Sequence, residues 1–331
     1  MLRISTLNKI LICRLSSLGD ILLVSPVIDA IKRKNSTLKI DFLVKQKFVD
    51  SIKFNPNIQN IIEYDSFDYI DLRKKIISEG YDLILDLQNN LRTKLLFIFI
   101  GIKKSSVNKP TFKKQLLVKL KINYFDKNFN IPSLYAEAAK LILSNQDRLS
   151  FYNNLGRVYR NSEAKNVIGF CPGAKHFTKI WPEEYFAELG NYLNKIGYKI
   201  FLFGGSLEKK VCERLQAKIL NSIDYSNDNK LFSTADAMRN CELIITNDSA
   251  LMHLAAAINI PIVAIFGSSV KEFGFSPFNV EHRIVENKEL NCRPCSHIGR
   301  ASCPQKHFKC MLDVKPKKVF NEIKWMLNTN E

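Results

Sequence analysis

The chain has 331 residues, 46% of them hydrophobic, with a mean hydropathy of −0.10 and a net charge of +17. That length and apolar content suit two domains of ordinary size, each with a full core. No apolar run approaches the ~18 residues of a membrane span, and the N-terminus carries no signal-peptide pattern, so a cytoplasmic protein is expected. The excess of 49 basic over 32 acidic residues has two readings. One is an anionic partner: nucleic acid, an anionic membrane or a phosphorylated substrate. The other is solvated lysines in a chain rich in Lys, Asn and Ile throughout.

In chain order, short apolar runs alternate with helical patterns. "KILIC" (9–13), "KIDFLV" (39–44), "NIIEY" (60–64) and "LILDL" (83–87) predict strands. "DILLVSPVIDAIKRK" and "YIDLRKKIISEG" carry apolar residues at helical spacing between them. Such alternation predicts an α/β domain with a parallel sheet. From about 101 to 133 the sequence is basic, polar and reads as loop-rich. A helix over "SLYAEAAKLIL" follows, and 151–165 reads as a linker. The alternation restarts at "VIGFCPGA" (167–174). "WPEEYFAELGNYLNKIG" predicts a helix with Pro182 in its first turn and Gly197 as its stop. "YKIFLFGGS" predicts a strand entering a glycine turn, and "STADAMRNCE" a short helix capped by Ser233 or Thr234. "LIITNDSALMHLAAAINIPIVAIFGSS" reads as strand, helix, strand, and "PKKVFNEIKWMLN" as a final amphipathic helix.

Four stretches carry chemistry. In "RLSSLGDILL" (14–23) a strand gives way to a turn with a single glycine, which suits phosphate poorly. By position alone Asp20 there is a helix cap. In "ITNDSALMHLAAA" (245–257) Asp248 or Ser249 can cap a helix whose first N–H groups suit a diphosphate. His253 lies one turn in, and Asp248 is alternatively placed for sugar or ribose hydroxyls. "PGAKHFTKIWPEE" (172–184) offers Lys175 and Lys179 above the sheet. "FGGSLEKK" (203–210) pairs Gly204 and Gly205, which permit close approach of a ligand, with Glu208. None of these matches a P-loop or dinucleotide fingerprint. The chain has eight cysteines. Cys13, Cys171, Cys212 and Cys241 read as small core residues. Cys292, Cys295, Cys303 and Cys310 cluster with His297 and His307. The opening C-x2-C suits zinc, the C-x6-C that follows does not, and a packed loop of free thiols is preferred to a structural zinc site.

Taken together and in order, "RLSSLGDILLVSPVI", "DLILDLQNNLRTKLL", "PGAKHFTKIWPEEYFAEL", "FLFGGSLE", "TNDSALMHLAAAINIPIVAIFGSS" and "CRPCSHIGRASCPQKHFKC" resemble glycosyltransferase family 9, the ADP-heptose:lipopolysaccharide heptosyltransferases. The resemblance runs from about residue 9 to 325. It implies the GT-B architecture, two Rossmann-like domains facing across a cleft. The acceptor domain is then 1–150 and the nucleotide-sugar domain 166–331, with the last helix a candidate to pack back on the former. It implies Asp20 as catalytic base and Arg92 facing the acceptor. Donor contacts fall to Lys179, Glu208, Asp248, Ser249, Ala250, Leu251 and His253. The implied reaction is inverting transfer of heptose from an ADP-sugar donor to an anionic lipopolysaccharide-type acceptor at the inner membrane surface. It uses no metal or other cofactor for chemistry and no nucleic acid. The alternatives are a GT-B transferase for another nucleotide sugar and a basic nucleic-acid-binding protein. The family often has Gly at the positions of Asn89 and Ala250, and Pro at that of Ser268.

Overall fold

The computed structural model describes residues 7–53, 55–64, 68–151 and 166–327. The chain divides into two compact units, Met1–Lys109 with Asn130–Gly156, and Pro110–Phe129 with Arg157–Glu331.

The first unit runs β1 (Lys9–Cys13), α1 (Leu18–Leu22), α2 (Ser25–Lys34), β2 (Lys39–Lys45), β3 (Asn60–Tyr64), α3 (Tyr69–Ser78), β4 (Leu83–Asp86), α4 (Leu91–Leu96) and β5 (Lys104–Ser106). After an excursion into the other unit it closes with α6 (Ile131–Ala138). The strands form one parallel sheet in the order β3-β2-β1-β4-β5. Leu11, Cys13, Leu43, Ile62 and Ile84 line one face of it and pack on Leu72 and Ile76 of α3 and on Leu96 and Phe97. A sheet covered by helices leaves its central strands buried, which is why they read as unbroken apolar runs.

The excursion is α5 (Thr111–Lys119). Residues 101–133 were expected to be loop-rich and to belong to the first domain. Instead they hold β5 and α5, and Pro110–Phe129 belongs to the second unit. The anchor is apolar: Leu117 and Phe125 pack on Phe273, with the Phe125 and Phe273 rings edge to face at 6.3 Å. Lys121 adds hydrogen bonds to the carbonyls of Pro294 (2.7 Å) and Cys292 (3.3 Å).

The second unit continues β6 (Val167–Cys171), α7 (Glu183–Lys195), β7 (Lys199–Leu202), α8 (Lys209–Lys218), β8 (Ser222–Asp224), α9 (Leu231–Met238), β9 (Leu243–Asn247), α10 (Ala250–Ala257), β10 (Ile262–Phe266), β11 (His282–Glu286), α11 (Lys309–Leu312) and α12 (Pro316–Met326). Its six parallel strands are ordered β11-β10-β9-β6-β7-β8. Helix α7 starts immediately after Pro182, ends at Lys195, and the chain turns at Gly197 with φ 92. The caps expected at Ser233 or Thr234 are not used, because α9 begins two residues earlier, at Leu231, behind Lys230. Thr234 spends its hydroxyl on the Lys230 carbonyl (3.2 Å). Val319 and Ile323 of α12 join the core of the second unit, which includes Phe170, Trp181, Phe186 and Met311. Residues 152–165 of the expected linker lie outside the described residues.

In both sheets the strand order reverses beside the first strand of the unit, between β1 and β4 and between β6 and β9. In open parallel sheets ligands bind at the carboxyl ends of the strands flanking such a reversal.

Candidate active site

At the carboxyl end of β1 the chain turns through residues 14–17 into α1. Asp20 sits in the first turn of that helix, which places a carboxylate where the helix dipole favours it. One oxygen, Oδ2, accepts from the Ser17 hydroxyl (2.6 Å) and the Ser17 N–H (3.2 Å). The other, Oδ1, meets the Arg14 guanidinium at 2.7 Å and accepts from the Tyr135 hydroxyl at 3.3 Å. Burial pushes the Asp20 carboxyl up. The Arg14 charge and the Ser17 hydrogen bonds outweigh it and hold the group below the usual carboxylate range. Arg14 also donates to the Leu87 carbonyl (2.6 Å), so its fork is tied to the turn after β4.

The same turn is stitched to the Asp20 loop a second time. Gln88 Oε1 accepts from the N–H groups of Leu15 (3.1 Å) and Ser16 (3.2 Å). Asn89 stands at φ 37, a left-handed backbone that Asn tolerates better than most residues. This accounts for Asn where the family pattern often has Gly. Arg92, in the first turn of α4, is exposed. Burial lowers the pKa of Lys45, and the charges of Arg92 and Lys47 lower it further. Arg92 therefore lies in a cationic group with Lys45, the last residue of β2, and Lys47 just beyond it.

In the second unit β6 leads into a short 3-10 turn, Phe177–Lys179. Lys179 reaches Asp248 Oδ2, just past β9, at 2.6 Å. The Ser269 hydroxyl donates to the same oxygen (2.5 Å). Burial pushes the Asp248 carboxyl up, while Lys179, the Ser269 hydroxyl and the nearby His253 together pull it below the ordinary range. Ser249 is the N-cap of α10, but its hydroxyl makes no cap hydrogen bond. Ser249, Ala250 and Leu251 are half-exposed, and the helix is buried from Met252 to Ala257. The accessible part of α10 is thus its first turn, the end where a helix offers N–H groups to an anion. His253 is no surface residue: it is 3% exposed and lies against Phe275, with ring centroids 6.2 Å apart.

The two ion pairs are exposed in opposite senses. Arg14 and Asp20 are 9% and 18% exposed at their side chains, whereas Lys179 and Asp248 are 14% and 7% exposed. In the first unit the anion is the accessible member, and in the second the cation is.

The Gly204–Gly205 turn was expected to leave room for a ligand. Protein side chains pack closely on these turns: a Cβ on Gly204 would stand 2.6 Å from Glu208 Cβ, one on Gly205 2.1 Å from Asn229 Oδ1, and one on Gly173, after β6, 2.2 Å from Glu208 Cγ. Glu208 accepts from the Gly205 N–H (2.9 Å) and lies across the turns after β6 and β7. Sequence reasoning missed several positioning residues. Asn247 accepts from the Trp181 N–H (3.1 Å) and donates to the Pro172 carbonyl (2.7 Å), tying β9 to the turn after β6. Arg293, 5% exposed at its side chain, pairs with Glu286 at 2.7 Å and donates to the carbonyls of Phe266, Gly267 and Ser269. It thereby fixes the turn that carries Ser269. Arg300 closes on Thr178 through N–H···Oγ1 (2.9 Å), beside Lys179. The C-terminal cysteine stretch thus braces the loop after β6. Its four cysteines are free thiols, with Cys292 3.8 Å from His307 Nε2. Among the described residues no three His, Cys, Asp or Glu side chains form a metal-holding group.

Two parallel-sheet α/β units, each carrying an ion pair at the reversal of its sheet, make up a two-domain α/β fold. Comparison with known proteins supports this. The family model of glycosyltransferase family 9 (heptosyltransferase) matches residues 69–306, and the chain belongs to that family. It is therefore a glycosyltransferase. It is 30% identical over 325 residues to lipooligosaccharide heptosyltransferase 2 of Campylobacter jejuni, covering 95% of this chain and 96% of that one. It is 28% identical over 176 residues to lipopolysaccharide heptosyltransferase 2 of Escherichia coli, about half of each chain. Among solved structures, a family 9 glycosyltransferase of Veillonella parvula superposes with a TM-score of 0.76 at 21% identity, covering 97% of both chains. ADP-heptose lps heptosyltransferase II of E. coli gives 0.73 at 22%, covering 96% of this chain and 98% of that one. The shared fold is GT-B.

Proposed function

We propose that this chain moves a heptose from ADP-heptose to the inner core of a lipopolysaccharide, with inversion at the anomeric carbon. The observation that carries the division of roles is the opposite exposure of the two ion pairs.

In this reading the acceptor hydroxyl attacks the anomeric carbon, the bond from that carbon to the diphosphate oxygen breaks, and ADP leaves. Asp20 takes the hydroxyl proton. A carboxylate held below the usual range is fully ionised at neutral pH but a weak base. It therefore suits an oxocarbenium-like transition state in which the proton leaves late. Arg14, Ser17 and Tyr135 fix the direction in which its oxygens point. The diphosphate gains negative charge as it departs. Lys179 and the first turn of α10 at Ser249, Ala250 and Leu251 offset that charge. Asp248, satisfied by Lys179 and Ser269, orients the lysine, and His253 buttresses it from the helix. Glu208, beside the turn after β7, is assigned to the nucleoside. Arg92, with Lys45 and Lys47, suits an acceptor bearing phosphates or acidic sugars.

The direct test is a panel of ADP-, UDP- and GDP-sugars with release of the nucleoside diphosphate measured against truncated lipopolysaccharide acceptors. The expected result is turnover with ADP-heptose alone and dependence on acceptor. Preferred turnover of a UDP- or GDP-sugar would overturn the donor assignment.

A further inference from the structure

Helix α4 and the turn after it present an apolar surface to solvent. Leu91 is 73% exposed, Leu95 50%, Ile98 45% and Phe99 91%. The spacing explains how one element does both jobs. Thr93, Leu96, Phe97 and Ile100 point inward and are buried, and the four exposed residues fall between them at helical intervals. Hydrogen bonds hold the segment at both ends. Asn90 and Thr93 cap it reciprocally. Arg73 of α3 donates to its last carbonyls, at Leu96 (2.7 Å) and Ile98. Phe99 is held at φ 50, a backbone a bulky side chain seldom adopts. A rigid turn that displays an almost fully exposed Phe places that ring outward by construction. Scattered exposed apolar residues are ordinary, but four within nine residues of one short segment mark it as a candidate interaction surface.

The charges around the patch select the partner. From Leu87 to Lys109, the part of this stretch within the first unit, the sequence carries Arg92, Lys94, Lys103, Lys104 and Lys109 and no acidic residue. Arg92, Lys94, Lys103 and Lys104 are exposed. Apolar side chains in a segment whose charged residues are all cations match a surface with an acyl interior and an anionic face. A protein partner or a second copy of this chain would bring no such requirement for a single sign of charge.

We infer that α4 and the turn after it form the docking surface of this protein on an anionic lipid bilayer. Leu91, Leu95, Ile98 and Phe99 enter the headgroup boundary, and Lys94, Lys103 and Lys104 contact anionic headgroups. The inference rests on the proposed function only in that a lipid-anchored acceptor gives the docking a purpose. The binding itself is tested without substrate.

The full chain is floated with vesicles of phosphatidylcholine alone and of equal parts phosphatidylcholine and phosphatidylglycerol. Binding is expected only to the anionic vesicles. Phe99→Asn with Leu95→Gln should lower it about tenfold or more, Asn being suited to the left-handed backbone at 99. Lys103→Glu with Lys104→Glu should do the same through charge. Both variants should keep turnover on a water-soluble truncated acceptor and lose it selectively on a vesicle-embedded one. Wild-type chain that fails to float, or variants that float like wild type, would overturn the inference. So would concentration-dependent dimerisation in sedimentation that Phe99→Asn with Leu95→Gln dissolves, because the patch would then be covered by a second copy. Absence of turnover on the soluble acceptor in the wild type would instead count against the proposed function and leave vesicle binding to be judged by itself.

Discussion

The ion pairs of the two units are built from the same parts and arranged in opposite order. Each joins a carboxylate and a cation at the carboxyl ends of the strands where the sheet order reverses. In each, the neighbouring positive charge keeps the buried carboxyl ionised. In the first unit Arg14 is the scaffold: it is bound to the Leu87 carbonyl and the less exposed of the two, so the free face belongs to Asp20. In the second unit Asp248 is the scaffold, held by Ser269 and the less exposed partner, so the free face belongs to Lys179. One salt bridge presents an anion and the other a cation. The lesson is that the partner closer to the core tells which charge the site offers. Such a division suits a reaction that accepts a proton at one end and stabilises a departing anion at the other.

The largest effect that can break this comparison is at the exposed anion. Asp20→Asn should lower kcat by about 10²- to 10⁴-fold, the usual weight of a general base, while ADP-heptose binding measured by calorimetry stays unchanged. Turnover within tenfold of wild type would remove Asp20 as the base. Next comes the exposed cation. Lys179→Met should weaken donor binding about 10- to 100-fold, as for a lost charge-assisted contact. It should also cost about 3–5 kcal/mol of stability, because Asp248 is left buried without its cation. Adding Asp248→Asn should restore most of the melting temperature but none of the donor affinity. Recovery of both would mean that the lysine serves the fold and not the diphosphate.

The parts of this arrangement differ in how far the sequence discloses them. Strands β1 to β4 were legible, the central ones because a parallel strand covered on both faces is an apolar run such as "KILIC", whereas the three polar, partly exposed residues of β5 were not. Short strands of mixed polarity such as β8 and β11 were not, since three to five residues with half-buried side chains carry no distinct period. Helix α5 was hidden for a related reason. Its sequence, TFKKQLLVK, buries only Leu117, so it shows no wide apolar face, and its place in the second unit depends on Phe125 meeting Phe273. Of the proposed site, Asp20 reads by position only as a helix cap and Lys179 as one of two loop lysines, and the resemblance to the family, more than spacing, singles out these two and Asp248. What holds them could not be read from the sequence. Tyr135 and Ser269 lie 115 and 21 residues from the carboxylates they bond, and Arg293 acts on a turn more than twenty residues earlier. Arg14 was the exception within reach: a basic residue directly after a buried strand is already a candidate partner for the next acid.

That arginine gives the third test. In the wild type the folded Asp20 pKa lies below its unfolded value, so the stability it contributes is present above about pH 3.9 and is lost only as pH falls through the lower, folded value. Arg14→Gln keeps a donor for the Leu87 carbonyl but removes the charge. Burial then dominates and the carboxyl titrates at higher pH. The acid limb of kcat/KM should therefore move upward in the variant, and, because the folded carboxyl then takes up a proton more readily than the unfolded one, its melting temperature should lose less on acidification than that of the wild type. An acid limb that stays in place would mean that Ser17, not Arg14, keeps Asp20 ionised.

The smallest expected effect belongs to Tyr135. Its hydroxyl donates to Asp20 at 3.3 Å, a long contact beside the 2.7 Å ion pair and the 2.6 Å Ser17 bond. Burial pushes the phenol pKa well up, and the adjacent Asp20 carboxylate pushes it further against only the Arg14 charge. Tyr135 therefore remains protonated and serves as a donor. Losing one weak donor of four should cost about 1 kcal/mol or less, a drop in kcat of about fivefold or less with Tyr135→Phe, and should shift the Asp20 acid limb slightly upward. A loss matching that of Asp20→Asn would move the proton-handling step from the carboxylate to the phenol. The exposed anion of the first unit would then be an orienting group like Asp248, and the contrast between the two ion pairs would no longer hold.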